Sequence, residues 1–185
     1  MQLKFSPQQY AELCEGFLTL ISPNSQQCTD LDHIDFYGAD SCNITATIKY
    51  LLNTGTDPVV ITLAFILVIK ATMVVADSLN GLVCPQKVFI AALISSNIMF
   101  EDDTIVFRKW QQLAGFTWTL DQLKYMTIEL FRILQFQMNI DLIDFNDFKT
   151  IFNRFILGKS VYKEIKLYSH RFCFNTQLKY TENSD

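Results

Sequence analysis

Side chains able to carry chemistry are sparse in this sequence. Only two imidazoles occur, His33 and His170, and imidazole is the commonest general base near neutral pH. The G-x-S-x-G, H-E-x-x-H, P-loop and dinucleotide patterns are absent. His33 stands among Asp30, Asp32 and Asp35, which are of hard-metal ligand type. That run lies in a polar stretch without helical period, where such groups are expected to be solvated, and neither a metal nor any other cofactor is expected. Asp102 and Asp103 are adjacent carboxylates, but at a helix end their expected task is to cap the next turn. The five cysteines, Cys14, Cys28, Cys42, Cys84 and Cys173, are odd in number and form no C-x-x-C pair. Free thiols in a reducing compartment are expected rather than a disulfide frame or a zinc site. The sequon Asn43-Ile44-Thr45 is then incidental, and no enzymatic activity is expected.

A chain of 185 residues, half of them hydrophobic, is long enough to bury one substantial core. Its net charge of −4 is unevenly placed: residues 1–148 hold 8 basic and 16 acidic side chains, and 149–185 hold 7 and 3. An acidic body is not expected to bind nucleic acid directly, and the basic end reads as a solvated face. The opening MQLKFSPQQY lacks the order of a secretory signal.

The stretch from Val59 to Ala76 contains 18 residues with one charge, Lys70, near the lower limit for a membrane span. Its flanks, Asp57 and Asp77, carry neither the basic excess nor the aromatic belt of a spanning segment. The next apolar run, 88–100, is too short to return across a bilayer. Two successive helices that are apolar on nearly every face are expected inside a helical globule, so no membrane association is expected.

The elements follow from caps and breakers. Ser6-Pro7-Gln8-Gln9 predicts a capping box opening a helix to about Ile21, and 22–42 reads as a long polar connection. NITATIKYLLN predicts an amphipathic helix stopped by Gly55. A long apolar helix follows from Asp57 to a break at Asn80-Gly81, and a second runs from Pro85 to about Glu101. A short helix is expected over 107–115. The Thr119/Gln122 capping box opens another through Phe136. A last helix spans about 144–157 and ends at Gly158, leaving a weakly patterned basic tail with a frayed end. These boundaries divide the chain into an N-terminal helix with acidic loop (1–42), a five-helix unit (43–140) and a C-terminal helix with basic tail (141–185).

The run KVFIAALISSNIMFEDDTIVFRKWQQLAGFTWTLDQLKYMTIELFRILQFQMNI resembles the third to fifth helices of a cyclin box. Ala91-Ala92 is followed by an acidic corner at Glu101-Asp102-Asp103, then Trp110 and Leu113-Ala114-Gly115, with closure in Leu134-x-Phe136-x-x-Asn139. DPVVITLAFILVIKA resembles the preceding cyclin helix. Within that family the chain looks similar to the single-box Pho80-like group and to cyclin-like proteins of meiotic crossover sites. What this resemblance implies is an all-α fold: a cyclin-like five-helix box with an N-terminal helix and a short helical C-terminal extension.

The resemblance further implies a nuclear or cytoplasmic regulatory subunit that binds a cyclin-dependent-type Ser/Thr kinase in cell-cycle or meiotic control. The alternative it leaves is a degenerate fold acting as a scaffold among meiotic recombination proteins. Many cyclins touch their kinase through a lysine and a glutamate; the matching positions here are Asn97 and Thr127. Glu129 sits two residues on, about 200° around the helix, whereas Lys124 shares the face of Thr127 and would reverse the local charge. The aspartate-arginine pair of the second helix is replaced by Ile69-Lys70, where a lysine facing a core is expected to snorkel or pair. Asn97, Lys124 and Thr127, with Phe107, Trp110 and Phe116 as apolar anchors, are thus the candidate partner-binding residues.

Overall fold

The computed structural model describes residues 5–21, 43–79 and 85–181, with side chains placed for 5–21, 43–73 and 85–172. All regular structure among them is helical: α1 (Pro7–Ile21), α2 (Ile44–Asn53), α3 (Pro58–Leu79), α4 (Pro85–Phe100), α5 (Phe107–Leu113), α6 (Leu120–Ile133), α7 (Leu142–Ile156) and α8 (Tyr162–Thr181). The acidic loop with His33, Asp30, Asp32 and Asp35 lies outside the described residues.

The helices begin where side chains can satisfy their first N–H groups. Ser6 and Gln9 exchange the two expected bonds, Gln9 N–H to Ser6 Oγ (3.3 Å) and Ser6 N–H to Gln9 Oε1 (3.0 Å). Thr119 and Gln122 do the same at α6. Asn43 caps α2 by accepting from the Ala46 N–H at 2.8 Å. Asp57 accepts from the Val59 N–H at 2.8 Å. Asp102 and Asp103 do not cap: Val106 occupies the N-cap of α5 and supplies no side-chain bond.

α1 and α2 each bury one stripe, Tyr10, Ala11, Cys14, Phe17 and Leu18 in the first, Ile44, Thr47, Ile48 and Leu51 in the second. α3 and α4 have no polar face. Every side chain from Val60 to Ile69, and every one from Lys87 to Asn97, is buried. The two pack against each other; α6 closes on α4, and α7 and α8 close on α3. The centre of the apolar stretch, Val60 to Ile69, is therefore covered by protein, and among the described residues no helix is long and apolar enough to cross a membrane.

Phe17 lies at the meeting point of these layers. Its ring stands edge-on to Phe65 of α3 (5.2 Å) and to Phe148, Phe152 and Phe155 of α7 (5.7, 5.1 and 5.1 Å), the preferred geometry for aromatic quadrupoles. The N-terminal helix and the helix after the five-helix unit thus share one core.

Two boundaries differ from expectation. α6 stops at Ile133 because Gln135 and Phe136 adopt left-handed backbone (φ +50° and +59°), so Leu134 to Asn139 form a connection rather than a last helical turn. The region after Gly158 is not a weakly patterned tail: α8 buries Ile165 and Tyr168, with Phe172 half-buried, along one face.

Candidate interaction site

Asn97 ends the buried part of α4 and is 2% exposed. Its Oδ1 accepts from the Ile105 N–H at 2.8 Å, and its backbone carbonyl from the Glu101 N–H at 3.1 Å. It works as an internal clasp folding residues 101–106 back onto the helix end. Thr127 is 3% exposed and donates its hydroxyl to the Leu123 carbonyl at 2.8 Å. Neither side chain offers surface to a partner docking on this structure. Lys124 is exposed and sits 3.5 Å from Asp121. It does not reverse the charge of a binding face at Thr127, because Leu123, Met126, Thr127 and Leu130 form the inward stripe of α6.

The aromatic anchors divide. Trp110 is in the core, and its indole N–H has no acceptor among the described residues. Phe107 is half-buried against that core. Phe116 alone projects outward, 67% exposed, and its φ is +59°. A non-glycine residue in the left-handed region carries strain of roughly 1–3 kcal/mol and is over-represented at functional positions.

Sequence reasoning missed its counterpart. Phe136 is 73% exposed, has the same φ, and stacks on Phe131 at 6.4 Å. Both turns close alike: Phe116 N–H donates to Gln111 O at 2.9 Å and Phe136 N–H to Phe131 O at 2.7 Å. A large apolar residue is buried two places later in each, Trp118 and Met138. The signal was the parallel between LAGFTW and ILQFQM, hidden because glycine marks only the first. On the outer side of α6 between these turns, Tyr125 and Ile128 are also exposed.

A second outward feature joins α3, α7 and α8. Lys70 donates to the Asn139 carbonyl at 2.7 Å and lies over the Phe172 ring at 4.8 Å, the pairing expected of a lysine facing a core. Burial holds its ammonium below the ordinary lysine value, while Asp144 and Asp141 favour the charged form. Asp144 is itself raised, first by burial and then by Asp141. Tyr168 donates to the Asp144 carbonyl at 3.1 Å, and burial pushes its phenol up. Arg171 pairs with Asp147, and Arg154 with Glu164 at 2.7 Å, so part of the basic excess serves to hold α8 on α7.

Among the described residues no three His, Cys, Asp or Glu side chains converge as a metal site would need. His170 is on the exposed side of α8. Cys14 is fully buried, with its thiol pushed up by that burial. What the described surface offers is apolar and aromatic projection beside charge, which suits protein contact. No family model, no curated protein and no solved structure matches the chain.

Proposed function

We propose that the protein is a cyclin-like regulatory subunit that binds a cyclin-dependent-type Ser/Thr kinase in cell-cycle or meiotic control, in the nucleus or cytoplasm. The observation that carries this reading is α4. It is the third of five successive helices between Ile44 and Ile133, is buried from Lys87 to Asn97, and is followed by the short α5 and the capped α6. That order, with an apolar helix at its centre, supports the cyclin-box reading. As a partner it supplies no catalytic residue. It binds one arrangement of the kinase better than the other and shifts the population towards the one with its ion-pair glutamate in place.

The burial of Asn97 and Thr127 favours a second reading. Without exposed polar groups at those positions, a kinase would have to be held by apolar contacts, and the same fold can instead scaffold other proteins, including those of meiotic recombination. Affinity purification of the tagged protein from its own cells, without detergent, with stoichiometric mass spectrometry, separates the two. A kinase catalytic subunit near one-to-one is the expected result. Recovery of recombination proteins without any kinase would replace the first reading by the second.

A further inference from the structure

The end of α4 protrudes from the bundle it otherwise fills. After eleven consecutive buried positions from Lys87 to Asn97, Ile98, Met99 and Phe100 are exposed by 43%, 39% and 47%. Three neighbouring residues on a helix cover about 200° of its circumference, so this last turn stands clear of its neighbours on more than half its girth. The Asn97 clasp draws Ile105 back to the same turn, which brings up Val106, 67% exposed. Four partly exposed apolar side chains thus adjoin one corner.

The corner is also acidic. Asp102 and Asp103 are exposed, and Glu101 accepts from the Asp57 N–H at 3.1 Å, while the Asp57 carboxylate accepts from the Val59 N–H at 2.8 Å. No Lys or Arg occurs in residues 50–69 or 88–107. The cations bordering these spans in sequence are Lys49, Lys70, Lys87, Arg108 and Lys109. Lys109 lies over the Tyr50 ring at 4.5 Å, and Arg108 forms no ion pair among the described residues. By contrast, Asp121 and Glu129 on α6 each have a basic partner three residues on.

We infer that this corner, Ile98, Met99, Phe100 and Val106 with Asp57, Glu101, Asp102 and Asp103, is a docking surface for a basic segment of another protein that carries apolar anchors. Partly exposed apolar side chains beside the exposed Asp102 and Asp103, which form no ion pair among the described residues, fit a segment with large apolar residues on one face and Lys or Arg at its rim. The apolar contacts supply the affinity, and the charge supplies steering and register. This rests on reading the protein as a partner-binding module and names a surface for it.

The test uses the full chain and a fluorescein-labelled amphipathic helical peptide of about 16 residues built from Leu and Lys, with a Leu/Glu peptide of the same pattern as control. Anisotropy should show binding of the first and not the second, weakening as NaCl rises from about 50 to 300 mM. Asp102→Lys/Asp103→Lys should weaken binding by about tenfold or more, and Met99→Ser/Phe100→Ser by about fivefold or more. Glu12→Lys/Asp121→Lys makes the same change in net charge on other exposed residues and should leave affinity within about twofold. Circular dichroism melting establishes that each variant is folded, and Asp102→Asn/Asp103→Asn repeats the charge test with a smaller change.

Equal loss in the control pair, equal binding of the Leu/Glu peptide, or no loss in either corner variant would overturn the inference. So would a wild-type dimer in sedimentation that Asp102→Lys/Asp103→Lys dissolves, since the occupant would then be a second copy. Site-specific peptide binding with no kinase recovered in the purification would leave the surface standing and remove the kinase reading. A kinase recovered by a protein whose corner binds no peptide would do the reverse.

Discussion

Asn97 and Thr127 act inward, and this gives each a measurable signature. Asn97→Ala strands the Ile105 N–H, and an unsatisfied buried donor costs about 1–3 kcal/mol, so urea unfolding should show a loss of that size. Thr127→Val removes a hydroxyl whose acceptor, the Leu123 carbonyl, is a helix carbonyl; stability should stay within about 1 kcal/mol. Thr127→Arg should cost about 3 kcal/mol or more by burying an unpaired charge. An arginine there that left stability intact would show the position open to solvent. Lys70 predicts a pH effect. Its folded value lies below the ordinary 10.5, so between the two the unfolded chain holds the proton more tightly. The penalty of burying the charge is therefore full at lower pH and is relieved as pH rises through that window. The stability of Lys70→Met minus that of the parent should fall as pH climbs towards the ordinary lysine value, with the phenols of Tyr10 and Tyr168 common to both.

At the scale of elements, α8 is the one whose docking needs testing. Tyr168 is buried against Phe148 (6.0 Å) and Phe172 (5.1 Å), whereas Leu167, one residue earlier, is exposed. Tyr168→Ala should cost about 3–5 kcal/mol and Leu167→Ala less than about 0.5; equal small effects would mean that α8 does not pack on α7. Its stripe of Val161, Ile165, Tyr168 and Phe172 follows helical spacing and was available in the sequence. It was obscured because Tyr162 and Leu167 put apolar residues on the outer side. The caps at Ser6 and Thr119 were legible because a capping box is a local bond pattern written in four residues. The end of α6 was not, since a left-handed Gln135-Phe136 pair carries no glycine to announce it. The site was least legible of all. Burial at Asn97 and Thr127 is set by helices distant in sequence, and a likeness in spacing says nothing of which way a side chain faces.

For the whole molecule, the Phe17 cluster decides whether the segments flanking the five-helix unit are appendages or parts of one body. Its ring touches residues of α3 and α7 and is fully buried. Phe17→Ala should cost about 3–5 kcal/mol, with helical circular dichroism and tryptophan fluorescence still coinciding in a single transition. Separate transitions would instead mark α1 and α7 as detachable.

The burial of α3 from Val60 to Ile69 and of α4 from Lys87 to Asn97 has a consequence for how the protein is made. A helix with no polar face has no surface fit for water, and two of its covers, α7 and α8, come later in the chain. At a synthesis rate of about 5–20 residues per second, the paired apolar helices wait several seconds for that cover. During this interval the nascent chain is a ready client for chaperones, and its yield in a foreign host should depend more on their supply than on the stability of the finished fold.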